Sequence, residues 1–160
     1  MKLKKLLFII TASTLTVLLW AQGTPRLELT VADRKVNMTS AEEAGRVAIA
    51  YRPGDVIRYE ITAENKGDGV MTEPVVTNPV PAGTVYVPLS ASGKDAQLVF
   101  SINSGYTYQS WPPTYTIQDA EGNMITREAT AEMVTHIRWE IKRNLAPGEK
   151  SILEFELKVK

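Results

Sequence analysis

A side-chain period of two, broken at short intervals by proline and glycine, narrows the folds open to this chain more than any other feature. Leu27, Leu29 and Val31 alternate with Glu28 and Thr30, and Ile57, Tyr59, Ile61 and Ala63 alternate with Arg58, Glu60, Thr62 and Glu64. Leu98, Phe100 and Ile102 alternate with Val99, Ser101 and Asn103. Ile137, Trp139 and Ile141 then face away from His136, Arg138 and Glu140, and Leu153, Phe155, Leu157 and Val159 away from Glu154, Glu156 and Lys158. Successive side chains of a strand point to opposite faces, so this pattern predicts antiparallel strands with one wet and one buried side.

The interruptions agree. Pro53-Gly54-Asp55 and Pro147-Gly148-Glu149 each precede an alternating run. Proline presets the second position of a turn and glycine accepts the positive φ that follows, so both predict type II turns. Lys66-Gly67-Asp68-Gly69, Pro81-Ala82-Gly83 and Ala120-Glu121-Gly122-Asn123 are further turns, and the prolines at 79, 81, 112 and 113 oppose helix. The expectation is an all-β, Ig-like antiparallel sandwich of seven to eight strands. One helical turn is expected between Thr39 and Arg46, with Ser40 as N-cap, Glu43 three residues on and Gly45 ending it. Asn103 to Met133 is the least regular stretch and predicts a hairpin or long loop over one end of the sandwich.

Ahead of the strands lies an address. Met1-Lys2-Leu3-Lys4-Lys5 is basic, Leu6 to Trp20 is uncharged and apolar, and Ala21-Gln22-Gly23 supplies small residues. This order predicts a secretory signal over residues 1–21, cut after Ala21 with Gly23 as the alternative. The apolar run is shorter than the ~20 residues of a bilayer span. The product is expected outside the cytoplasm, whether secreted, on the cell surface or periplasmic, with no stable membrane span after cleavage. Residues 22–46 then form an N-terminal strand and connecting segment, and 47–160 the sandwich, as one domain.

The chain has no cysteine, which removes disulfides, thiol nucleophiles and thiolate metal sites. It has 18 basic and 18 acidic residues; loss of Lys2, Lys4 and Lys5 with the signal leaves 15 against 18. Such a mildly acidic surface carries no electrostatic footprint for nucleic acid.

Several of these segments also occur in a familiar order. Pro53 to Ile61 is followed by Glu64-Asn65-Lys66-Gly67, Pro79-Val80-Pro81-Ala82-Gly83-Thr84 and Leu145-Ala146-Pro147-Gly148-Glu149. In this order they resemble the bacterial and archaeal conserved repeat family, the domain of unknown function numbered eleven, over Val47 to Lys160. The resemblance implies an extracellular Ig-like sandwich of surface proteins and carries over no catalytic residues. The chain departs from it in having a single copy and an aromatic-rich insertion.

Candidate sites are few. His136 is the only histidine and has neither a second His nor a Cys for a metal. Ser90, Ser92 and Ser110 lie outside any nucleophile motif. Asp55, Asp68, Asp95 and Asp119 sit in or beside turns, without the converging oxygens of a calcium loop; calcium held by residues distant in sequence stays open. Tyr59 and Trp139 are expected in the core. No catalytic residue, metal or other cofactor is expected, and the protein is not expected to be an enzyme.

Two stretches are candidates for contact with a partner. Tyr106, Tyr108, Trp111 and Tyr115 either cap the sandwich or form an apolar platform for a glycan or protein, Tyr106 and Tyr108 sharing one strand face. Leu27, Leu29 and Val31 stand on a strand joined to the rest by a loose polar segment, Asn37 to Gly45. Such a strand can pair within its own domain, as is usual, or be exchanged with a neighbour. The expected role is that of an exported structural and interaction module. Its partners are proteins, either a second copy or other surface proteins, with glycans as the alternative.

Overall fold

The structure, a computed structural model, describes residues 23–160; the export signal expected over residues 1–21 lies outside them. Ten strands follow in order: β1 (Leu27–Lys35), β2 (Val56–Asn65), β3 (Val75–Pro79), β4 (Thr84–Tyr86), β5 (Ser92–Gly93), β6 (Ala96–Ser101), β7 (Thr114–Gln118), β8 (Met124–Glu128), β9 (His136–Ile141) and β10 (Lys150–Val159). One helical turn, α1 (Ser40–Glu43), separates β1 from β2. The seven to eight strands expected become ten, because β4 and β5 are only three and two residues long.

Every pairing is antiparallel. One sheet runs β1-β2-β10-β4, with β5 pairing further along β10; the facing sheet runs β3-β9-β6; β7 and β8 form a separate hairpin. The registers place the apolar member of each alternating pair on the same face. Ile61 lies opposite Leu153 and Tyr59 opposite Phe155 on one sheet, and Trp139 lies between Val76 and Leu98 on the other. The two apolar faces meet in a core that includes Ile61, Val76, Tyr86, Phe100, Ile137, Trp139, Leu153, Phe155 and Leu157. Trp139 lies 5.6 Å from Phe155 ring to ring, and its indole N–H donates to the Ser92 carbonyl at 2.9 Å. An aromatic this large is buried best where its one polar atom finds a partner, and β5 supplies it. Tyr59 is half-buried and stacks on Phe155 at 5.0 Å.

The Pro-Gly turns behave as type II geometry requires. Gly54 and Gly148 take φ of 93° and 79°, and Asp55 and Glu149 donate back to the carbonyls of Arg52 and Ala146. Two expectations are corrected. The strand expected to carry Ile102 and Asn103 stops at Ser101, where Ser104 and Gly105 with positive φ turn the chain away. Loop backbone closes over that end, so Ser101 is fully buried, its hydroxyl accepting from the Gly105 N–H. The helical turn is capped by Thr39 and Glu42, one residue earlier than Ser40 and Glu43. The sequence admits both frames, and the placement of Glu42 beside Lys35 selects the observed one.

Candidate interaction edge

Strand β1 pairs with β2 over its whole length, Leu27 opposite Asn65 through Lys35 opposite Ile57. The flanking bonds, Lys66 N–H to the Arg26 carbonyl and Val36 N–H to the Val56 carbonyl, set the parity of this ladder. Antiparallel partners alternate between pairs that exchange both main-chain bonds and pairs that exchange none. Even-numbered residues of β1 therefore bond to β2. The N–H and C=O groups of Leu27, Leu29, Val31, Asp33 and Lys35 point away from it, toward a side on which no strand lies among the described residues.

The same odd-numbered residues carry the side chains on the core-facing side. Only Leu27 reaches the core. Leu29 and Val31 are 46% and 53% exposed, although Ala63 and Ile61 directly across from them on β2 are buried. The facing sheet is three strands wide and leaves β1 overhanging, packed mainly on β2. The half-buried strand expected from the alternation is thus a strand with both of its central apolar side chains in water.

The C-terminal end of β1 is anchored by charge. The alternation places Lys35 on the inner face, where it is buried, and an unpaired buried ammonium is strongly disfavoured. Its Nζ lies 2.9 Å from Asp55 Oδ2 and 3.1 Å from Glu42 Oε1, and donates to the Ala50 carbonyl at 3.2 Å. Asn37 ties the same place, its amide donating to Asp55 and its carbonyl accepting from the Val56 N–H. The Tyr51 hydroxyl donates to Asp33 at 2.8 Å. The segment from Asn37 to Gly45, expected to be loose, is therefore pinned at Asn37, Thr39 and Glu42. The spacing of Asp55 and Glu42 from Lys35 carries no local signal, which is why the sequence does not announce this cluster.

The cluster sets an acid limit. The Thr39 backbone N–H, and then Lys35, hold the Glu42 carboxyl at about 2, below its ordinary 4.5. Lys35, and then the Arg52 N–H, lower Asp55 as well. A carboxyl with a depressed folded pKa contributes stability that is complete above its unfolded value and is lost as pH falls through the folded value. The melting midpoint is therefore expected to hold above about pH 5 and fall between about pH 4.5 and 2. Glu42→Gln should flatten part of that fall, as read by circular dichroism melts across the range. An unchanged acid profile would refute the assignment.

The aromatic stretch divides. Trp111 packs edge-on against Tyr86 and Phe100 at 5.5 and 5.4 Å, with Pro113 buried beside it in the chain. Tyr108 is half-buried under the Arg138 guanidinium, 3.5 Å from its ring centre. Tyr115 lies on β7, and Tyr106 alone is largely exposed, at 85%. Tyr106 and Tyr108 do not share a strand face as expected, because residues 102–106 bend and turn and 107–108 belong to no strand. The four rings thus have different surroundings, one packed on the core, one under a guanidinium, one on a hairpin strand and one largely exposed.

The remaining candidates take local roles. His136 is half-buried, with Nδ1 3.2 Å from the Thr135 hydroxyl. Ser90 donates to the Val87 carbonyl and accepts from the Glu156 N–H, and Ser110 is exposed. Asp68 accepts from the N–H of Thr24 in the segment before β1, Asp119 accepts from the N–H of Asn123, and Asp95 lies 4.0 Å from Arg143. No group of three metal-ligating side chains occurs among the described residues, and none of their helices is long and apolar enough to cross a membrane. Two hollows of about 110 and 150 Å³, beside Arg58 and beside Trp111, fall short of the ~300–1,000 Å³ of ligand pockets. Compared with known protein families, curated proteins and solved structures, the chain matches none.

Proposed function

We propose that this chain is an exported, non-catalytic structural and interaction module that associates with its own kind through the N-terminal strand. The observation that carries this reading is the side of β1 on which no strand lies among the described residues. Outward-pointing main-chain groups and two exposed apolar side chains, Leu29 and Val31, lie together on one long strand. An edge of this kind is a template for another strand, and folds that avoid association shorten, charge or cover it. The resemblance of its turn order to the conserved repeat family, although no family model matches the chain, supports a place on the cell surface, and the basic head with its apolar run supports export.

The test is the size of the exported, purified protein by static light scattering. The full protein is expected to associate with rising concentration, and deletion of Gln22 to Val36 to leave a less stable monomer. Excess peptide of sequence Leu27 to Val36 should dissolve the complexes of the intact protein. A protein monomeric at its highest soluble concentration, or complexes indifferent to the peptide, would rule the reading out.

A further inference from the structure

The charges on the outer face of β1 have no opposite-sign partner directly across the ladder. Glu28 lies opposite Glu64, and Arg34 lies opposite Arg58, so each meets its own sign across the ladder. Their neighbours are already engaged: Glu64 with Lys66 and Lys150, and Arg58 with Glu156. Glu28 and Arg34 are exposed and form no ion pair among the described residues. Like charges directly opposite in a sheet are unfavourable, and opposite charges are favourable by a similar amount. The open side is where each can meet an opposite charge directly across a strand.

We propose that β1 pairs edge to edge with β1 of a second copy, antiparallel about a two-fold axis through Val31. This mode of contact rests on the self-association proposed above, and it leaves β1 in its own sheet. In this register Val31 faces its own counterpart, Leu29 faces Asp33, Thr30 faces Ala32, and Glu28 of each copy faces Arg34 of the other. The odd-numbered residues supply the bonded pairs, each exchanging two main-chain hydrogen bonds with groups that point outward. Leu29 and Val31 of both copies then gather around the axis as direct and diagonal neighbours. The axis position follows from charge. Through Leu29, Glu28 would meet Thr30; through Thr30, Arg34 would meet Arg26 and Glu28 would meet Ala32. The Val31 axis matches both charges twice.

A two-fold contact of this kind is self-complementary and closes as a dimer. The β1-β2-β10-β4 sheets of the two copies become one continuous sheet. Strand exchange differs in requiring β1 to leave β2, and that difference can be tested. The chain has no cysteine, so Thr30→Cys with Thr62→Cys, direct partners on the outer face, would lock β1 to its own β2.

Sedimentation equilibrium of the locked full protein, oxidised after export, is expected to show a dimer with a dissociation constant near that of the unlocked protein. In the locked background, E28R and R34E should each weaken the dimer about tenfold, and the double reversal should restore it. Each reversal places the opposite charge across from Glu64 or Arg58, so weakening would not come from unfolding. A locked monomer beside an associating unlocked protein would overturn edge pairing and leave self-association standing. A locked dimer indifferent to both reversals would overturn the Val31 axis. A monomeric unlocked protein would remove both proposals.

Discussion

Trp139→Ala is expected to lower the unfolding free energy by about 3–5 kcal/mol, the range for large aromatics truncated in a packed core. Trp139 is fully buried on β9, with Val76 and Leu98 beside it in the sheet and Phe155 across the interface. The truncation opens a cavity between the two sheets and orphans the Ser92 carbonyl that accepts the indole N–H. Domains of this size have about 5–15 kcal/mol in total, so the loss is a large fraction. Urea titration should show the midpoint moving down with little change in slope, with a fall of about 10–20 °C in the thermal midpoint. Trp139→Phe keeps most of the packing and loses the hydrogen bond, and should cost about 1–2 kcal/mol. An alanine variant within 1 kcal/mol of wild type, about the size of a surface change, would mean that the sheets do not close on this residue.

Asn65→Leu is expected to cost about 3–4 kcal/mol, through hydrogen bonds more than volume. Asn65 ends β2 and is fully buried. Its amide donates at 2.8 Å to the carbonyls of both Gly69 and Leu145, and its carbonyl accepts from the N–H groups of Gly67 and Arg26. One side chain therefore ties the entry of β1, the turn after β2 and the approach to β10. Leucine fills similar space and leaves these groups without partners. Amide exchange in β1 should accelerate first, because Arg26 precedes it. Asn78→Leu, which removes a single bond to the adjacent Pro79, is the control and should stay within about 0.5 kcal/mol. Equal effects of the two substitutions would dismiss the hub.

Asn65 also marks the boundary between what is legible in the sequence and what is not. Asn65-Lys66-Gly67 reads as a turn, and it is one. A Cβ on Gly67 would overlap the Thr24 carbonyl, because the N-terminal segment crosses the turn there. No local pattern announces that crossing. The aromatic stretch divides in the same way: its irregular backbone follows from Ser104-Gly105 and Pro112-Pro113, but Trp111 turns inward because Tyr86 and Phe100 leave an apolar gap at its end of the sandwich.

The sequence by itself determined the strands, their inward faces and their turns. A period of two and the backbone preferences of proline and glycine act over a few residues and need no distant partner. Only the tertiary structure decided which strand would lie at an edge. The facing sheet has three strands, so the alternation that buries Ile61 and Leu153 leaves Leu29 and Val31 in water. It also brought Lys35 to Glu42 and Asp55, and set Glu28 and Arg34 against like charges. Side-chain pattern fixes which face a residue takes, but what covers that face depends on chain that arrives from elsewhere.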